Sequence, residues 1–151
     1  MRASAWLVSG VGLVAMLLFG LSSDRTGERR WHAAGAMLLG GAGYLLVILS
    51  GGHPVLVVAS FCVVAAGVDG FFPGFWPIPT LFLTESGAAA AIGLINSFGN
   101  LGGFVGPYIL GYVRTATNSF AIGLALIAVS MVLGAISVLS VRSHQASVTR
   151  T

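Results

Sequence analysis

The chain has 151 residues, of which 56% are hydrophobic and 7% are charged, whereas a soluble domain carries about 25% charged residues. This composition excludes an ordinary soluble globular protein. Seven arginines and four acids give a net charge of +3, but these cations are too scattered to form a phosphate-binding stripe, so no nucleic-acid partner is expected.

Long uncharged stretches separate the charged residues. Each stretch can cross a bilayer about 30 Å thick with about 20 helical residues. The stretches are apolar on every face, which favours helices over the alternating pattern of a β-barrel. We therefore predict an all-α, polytopic helical membrane protein with five transmembrane helices. The predicted spans are Ser4–Leu21, Ala33–Ser50, Val55–Pro79, Ala88–Val113 and Phe120–Val141.

The uncharged stretch from Trp31 to Val68 is too long for one helix, and the turn signal at residues 51–54 (Gly-Gly-His-Pro) divides it in two.

The chain has one cysteine, Cys62, which excludes an internal disulfide and any multi-cysteine metal site. We expect Cys62 to pack as a small apolar residue.

The distribution of arginines predicts the orientation, because cytoplasmic loops carry an excess of positive residues. With five spans, one side holds the loop 22–32, the segment 84–87 and the tail 142–151, which together contain five arginines. The other side holds only Arg2 and Arg114. We therefore expect an external amino terminus and a cytoplasmic carboxyl terminus.

Three motifs carry a resemblance to a known family. Residues 20–32, Gly-Leu-Ser-Ser-Asp-Arg-Thr-Gly-Glu-Arg-Arg-Trp-His, resemble the cytoplasmic loop signature of the major facilitator superfamily. The Glu-Arg-Arg-Trp-His ending resembles the anion:cation symporter branch of that family. Residues 75–80 and 95–108 resemble the tenth and eleventh helices of the bacterial organic-anion permeases of this branch.

The resemblance implies that the chain corresponds to helices eight to twelve, an incomplete six-helix half of a transporter. It also implies that the loop acts as a latch that breaks when the transporter changes state. The implied latch residues are Gly20, Asp24, Arg25, Gly27, Arg29 and Arg30. The alternative is that the arginines of this loop only mark the cytoplasmic side.

Two asparagines on the fourth span are the main candidates for a substrate site. Asn96 and Asn100 lie one helical turn apart, on the same face of the helix. Their carboxamides can donate hydrogen bonds to a carboxylate or hydroxyl without the cost of a buried charge. The resemblance favours Asn96, because an asparagine on the eleventh helix commonly faces the cavity. The alternative is that both bind a neighbouring helix.

The third span contributes two further candidates. Trp76 offers a flat indole face and a donor to a substrate, or else belongs to an aromatic interface belt; the resemblance favours the cavity. Asp69 is either a protonatable site or a residue that faces water or a partner, since an ionised carboxylate at membrane depth is costly.

Glycines and prolines predict how these helices pack. The pairs Gly99/Gly103 and Gly102/Gly106 form a groove where another backbone can pack. We expect Pro107 to kink or loosen the fourth span. Pro73, Pro77 and Pro79 should do the same at the inner end of the third.

The chain shows no nucleophile elbow, zinc-binding or phosphate-loop motif, so neither an enzyme nor a cofactor is expected. The resemblance implies secondary active transport of a small organic anion, such as a sugar acid, dicarboxylate or aromatic acid, coupled to a proton or another cation, in the cell inner membrane. The expected partners are the lipid bilayer and an amino-terminal six-helix half or another membrane chain. The alternatives are a non-transporting membrane subunit or scaffold and an inactive transporter fragment.

Overall fold

The computed structural model describes residues 2–141, with side chains described from residue 4 onward except at 81 and 82. This part of the chain forms six helices: α1 Arg2–Thr26, α2 Arg29–Leu49, α3 Pro54–Phe75, α4 Pro77–Phe82, α5 Glu85–Thr117 and α6 Phe120–Ser140. Five helical segments are long and apolar enough to cross a membrane, the third of them running from α3 into α4. The predicted all-α architecture with five spans is confirmed.

The segment predicted as a cytoplasmic loop at residues 22–32 is mostly helical. Helix α1 continues through Asp24 to Thr26, and only Gly27 and Glu28 separate it from α2. Gly27 has a φ of 69°, a left-handed conformation that glycine adopts without steric cost and that ends the helix. Charge marks where an apolar stretch ends, whereas the helix continues beyond it.

The other helix ends also follow local chemistry. The predicted turn between the second and third spans is confirmed: Gly51 and Gly52 have positive φ values of 57° and 82°, and Pro54 opens α3. Helix α5 begins at Glu85 rather than Ala88 and ends where Asn118 adopts a left-handed conformation, with a φ of 52°.

The prolines act differently in the two spans that contain them. Helix α3 runs through Pro73 and gives way to α4 at Trp76, with Pro77 in the first turn of α4. Proline fits a first helical turn because its missing N–H has no partner to lose there. Helix α5, in contrast, continues past Pro107 for ten further residues. The third span is therefore divided, and the fourth is one continuous helix.

Small residues bring the central helices together. Helix α2 packs between α3 and α6, and α1 packs on the other side of α3. A Cβ built on Gly67 of α3 would overlap the backbone of Gly40 on α2. At the next residue of α2, a Cβ on Gly41 would lie 3.4 Å from the carbonyl oxygen of Ala128 on α6. Such close approach of backbones is how helices gain packing energy in lipid.

Helix α5 lies at the margin of this arrangement. It contacts α6 and α4, and the order of neighbours across the bundle is α1, α3, α2, α6, α5. Near its end, Leu110 packs against Gly123 of α6, and near its beginning Ala88 is buried. The middle of α5 is exposed. The predicted tail 142–151 lies outside the described residues.

Candidate functional site

The two candidate asparagines lie on the exposed middle of α5. Asn96 and Asn100 are both exposed, and neither side chain forms a hydrogen bond within residues 4–141. Ser97, between them, donates its hydroxyl to the carbonyl oxygen of Gly93 at 2.9 Å and is satisfied within its own helix. The described part of the chain therefore leaves both carboxamides available to a group outside it.

The predicted glycine groove surrounds these asparagines and is open. A Cβ built on Gly99, Gly102, Gly103 or Gly106 would have no heavy atom within 4 Å. Large apolar side chains on the same stretch are also exposed, Phe98 by 66% and Phe104 by 77%. No helix of the described chain packs into the groove. The face has the composition of a helix contact but has no partner within residues 2–141.

Trp76 lies where α3 ends and α4 begins. It is half-buried, and its ring meets that of Phe75 edge-on, with 5.6 Å between the ring centroids. Phe75 in turn stacks on Phe71 at 4.6 Å. The indole therefore belongs to a row of aromatic rings at one end of the third span. Both predicted roles, substrate contact and interface anchor, stay predictions.

Asp69 lies within α3 on the side that meets α1. Its side chain is half-buried, and a Cβ built on Gly12 of α1 would overlap its Oδ2 atom and lie 3.0 Å from its Cγ atom. The carboxyl group thus packs directly against the backbone of α1. Asp69 forms no hydrogen bond or ion pair with the described side chains. Sequence reasoning identified the residue but not Gly12, whose role depends on the pairing of two helices.

The arginine-rich end of the bundle, which comprises residues 22–32 and Val141, holds side-chain contacts that join its helices. Arg29 Nη2 donates to Asp24 Oδ1 at 3.0 Å, joining α1 to the first turn of α2. The Asp24 side chain is 67% exposed, so the pair contributes about 0.2–1 kcal/mol. Arg30 donates to the backbone carbonyl of Val141, just after α6.

His32 provides a further contact at this end. Its Nε2 atom lies 2.9 Å from Ser22 Oγ on α1, and its Nδ1 atom lies 2.9 Å from the carbonyl oxygen of Glu28. Since a carbonyl only accepts, Nδ1 carries the hydrogen and Nε2 accepts from Ser22 in the neutral ring. The sequence motif gave no indication of this contact. Ser22 and His32 are ten residues apart, and this spacing indicates a contact only once the two-residue turn at Gly27 and Glu28 is known.

The remaining motif residues have simpler positions. Gly20 faces α3, where a Cβ would lie 3.4 Å from the Cβ atom of Pro73, and Gly27 forms the turn. Arg25 is exposed and forms no hydrogen bond or ion pair within the described residues. The structure thus gathers most of the predicted latch residues at one end of the bundle. Their role in a conformational change stays a prediction.

The candidate substrate residues are less closely gathered. Asn96 and Asn100 share one face of α5, Trp76 lies at the α3–α4 junction, and Asp69 faces α1. No hydrogen bond or ring contact joins these three places within the described residues. The fold therefore supplies separate pieces of a site rather than an enclosed cavity.

Several known transport proteins are similar to this chain. A "Putative tartrate transporter" of Agrobacterium vitis is 44% identical over 142 residues, which are 92% of this chain and 31% of the relative. "Inner membrane transport protein RhmT" of Escherichia coli is 38% identical over 124 residues, covering 82% of this chain and 28% of the relative. "Quinolone resistance transporter" of Acinetobacter baumannii is 38% identical over 127 residues, covering 83% and 29%.

The chain spans about a third of the length of the curated relatives it matches. No protein-family model matches it, and no solved structure matches it either. The likeness to transporters extends over most of the chain. The chain therefore belongs to the major facilitator superfamily and is consistent with part of the carboxyl-terminal half of an anion transporter of that family.

Proposed function

We propose that this chain forms part of a secondary active transporter that moves a small organic anion across the cell inner membrane, coupled to a proton or another cation. The observation that carries the proposal is the exposed face of α5, where the carboxamides of Asn96 and Asn100 form no hydrogen bond with the described residues and lie beside an open glycine groove. The names of the relatives support transport as the general activity. Transport, rather than an enzymatic reaction, is the function these features fit.

The chemistry of the site favours an anion with carboxylate and hydroxyl groups. A carboxamide donates hydrogen bonds to a carboxylate and both donates to and accepts from a hydroxyl. Sugar acids and hydroxylated dicarboxylates carry both groups, and tartrate, named in one relative, is such a dicarboxylate. An aromatic acid would instead use the indole face of Trp76.

We further propose that the open face of α5 packs against a second set of membrane helices. Transporters of this kind bind substrate between two bundles that rock about the site. The second bundle is an amino-terminal six-helix half, either in the same polypeptide or in another chain. It would cover the glycine groove and place its own side chains opposite Asn96.

For the orientation, we propose an external amino terminus and a cytoplasmic carboxyl terminus, because five arginines lie on one side and two on the other. Reporter fusions after residues 27, 52, 86, 116 and 148 should then read inside, outside, inside, outside and inside. A cytoplasmic reading after residue 52 or 116 would contradict this topology.

The substrate site is tested by Asn96→Ala in an assembled transporter that contains this chain. Loss of one hydrogen bond to a charged ligand costs about 1.5–3 kcal/mol, so uptake of a tartrate-like anion should show a raised KM or disappear. Asn100→Ala is the matched control on the same face and should have a smaller effect. Both variants must reach the membrane at wild-type levels. Unchanged uptake kinetics in the Asn96 variant would place the substrate elsewhere.

A second candidate function is that of a non-transporting scaffold, and only the open glycine groove supports it. A scaffold would bind partner helices through Gly99–Gly106 and would have no need of the carboxamides. Saturable uptake that disappears with Asn96→Ala supports transport. Partner binding that survives both asparagine substitutions, without any uptake, would support the scaffold.

A further inference from the structure

Asp69 and Gly12 form an unusual contact between α3 and α1. The carboxyl group occupies the space that any side chain at position 12 would need. Ala65, one turn earlier on α3, lies at the same place, 3.5 Å from a Cβ built on Gly12. Glycine at position 12 thus lets the two helices meet with a carboxyl group directly between them. We call this contact the α1–α3 seam.

The depth of the seam makes the charge state of Asp69 important. In the span Pro54–Thr80, Asp69 lies about 22 Å from the beginning and about 16 Å from the end, at about 1.5 Å of helical rise per residue. Both distances place it within a hydrocarbon layer about 30 Å thick. An unpaired carboxylate at such depth is costly unless it reaches water or a partner.

Other charged groups are remote from the seam or absent from it. Within the described side chains, α4 contributes no titratable group, and α1 contributes only Asp24 and Arg25, about 18 Å along the helix from Gly12. The remaining titratable residues on the helices that contact α3 are Arg29, Arg30, His32 and Tyr44 on α2, and α3 itself adds Cys62. None of these forms a hydrogen bond or ion pair with Asp69.

The atoms around the carboxyl group suit a proton better than a metal cation. Hard metal cations take about six to eight oxygen ligands, whereas the atom that lies beside the Asp69 carboxyl group at Gly12 is the methyl carbon of Ala65. The described residues contain no cluster of three acidic, histidine or cysteine side chains. A proton needs only the carboxyl oxygen, and it removes the charge that prevents close packing.

We propose that Asp69 is a proton-binding site that controls the α1–α3 seam. With the proton bound, the neutral carboxyl group packs on Gly12 and the seam is closed. When the proton leaves, the carboxylate draws water between α1 and α3 and the seam loosens. The inference rests on the proposed function in one respect only, namely that the proton bound by Asp69 is the proton coupled to transport. The packing of the seam and its response to protonation do not depend on a substrate.

The natural cysteine of the chain lies close enough to the seam to report on it. Cys62 is the chain's one cysteine and lies seven residues before Asp69, two helical turns away on the same side of α3. It is half-buried. The rate at which a membrane-permeant maleimide labels Cys62 should therefore rise when the seam loosens.

The experiment measures this labelling rate across a pH series for the chain in native membranes. Asp69→Asn is the reference, because asparagine is neutral and of the same size, and it retains the pH dependence of the thiol itself. We expect the ratio of the wild-type rate to the Asp69→Asn rate to be near one at low pH and to rise severalfold as the pH increases. A ratio that does not change with pH would overturn the proposal.

Two glycine variants test the seam itself. Gly12→Ala places a methyl group where the Asp69 carboxyl lies, so labelling at low pH should be faster than in the wild type at the same pH. Gly10→Ala is the matched control, since a Cβ at Gly10 would have no heavy atom within 4 Å, and it should behave as wild type. Equal labelling of the two variants at low pH would show that Asp69 does not occupy the seam.

A spectroscopic measurement covers the case in which Asp69→Asn fails to fold. The chain has only two aspartates, Asp24 and Asp69, so [¹³C]aspartate in an Asp24→Asn background labels Asp69 alone. The infrared carboxyl band of Asp69 should change over the same pH range as Cys62 labelling. A carboxylate band throughout that range would overturn the proposal. Absence of anion uptake by the assembled wild-type transporter, with both pH-dependent readouts as expected, would count against the proposed function instead.

Discussion

The α2–α3 contact and the middle of α5 are both rich in glycine, yet the chain uses the two regions in opposite ways. In the first, Gly67 meets the backbone of Gly40, and a Cβ on Gly74 would lie 3.0 Å from the backbone nitrogen of Ala33. In the second, the glycines from 99 to 106 meet nothing within 4 Å. Glycine spacing therefore indicates that another helix can pack closely against a given helix, but it does not identify which helix does so.

The largest difference between the two regions should appear on substitution by alanine. Gly67→Ala forces a methyl group into the Gly40 backbone, and overpacking of this kind costs about 1–3 kcal/mol. Gly102→Ala, the matched control on α5, should cost nothing, because the space is open and alanine favours helix by up to about 1 kcal/mol. The measurement is the free energy of unfolding of the purified chain in detergent.

The opposite ranking would break the comparison. If Gly102→Ala destabilised the chain more than Gly67→Ala, the α5 face would be buried in the folded protein and the α2–α3 contact would not be its core. Equal effects would mean that glycine position has no bearing on the packing of this chain.

A smaller effect is expected at the arginine-rich end, where polar contacts rather than close backbones join the helices. Arg29→Gln removes the ion pair with Asp24, so it should lower the free energy of unfolding by about 0.2–1 kcal/mol. Arg25→Gln removes the same charge from the same segment but breaks no contact within the described residues, and should change the free energy less. Indistinguishable values for the two variants would show that the Asp24–Arg29 pair adds nothing to stability.

The five membrane-spanning segments were predictable because charge is costly to bury in lipid, so most charged residues lie between the spans. The turn at Gly51 and Gly52 was predictable for a similar reason, since it depends on local conformation alone. The continuation of α1 to Thr26 was not, because charged residues at an aqueous helix end remain helical without penalty. Sequence hydrophobicity locates the membrane rather than the ends of the helices.

The candidate site was predictable only in part. Polar residues at membrane depth are few, so Asn96, Asn100 and Asp69 stand out in the sequence. Their surroundings depend on which helices are neighbours, and no local pattern reveals that Gly12 lies beneath Asp69 or that Ser22 meets His32. Contacts between distant segments are the part of the site that required the three-dimensional arrangement.

The length of α5 has a consequence for how the chain fits its membrane. Glu85 and Arg114 lie 29 positions apart on this one helix, a separation of about 44 Å at about 1.5 Å per residue. A bilayer measures about 40–45 Å when its polar headgroup layers are included. An upright α5 would therefore hold its acid in one headgroup layer and its arginine in the other. A thinner membrane would force the helix to tilt, and the tilt would carry the open glycine face with it.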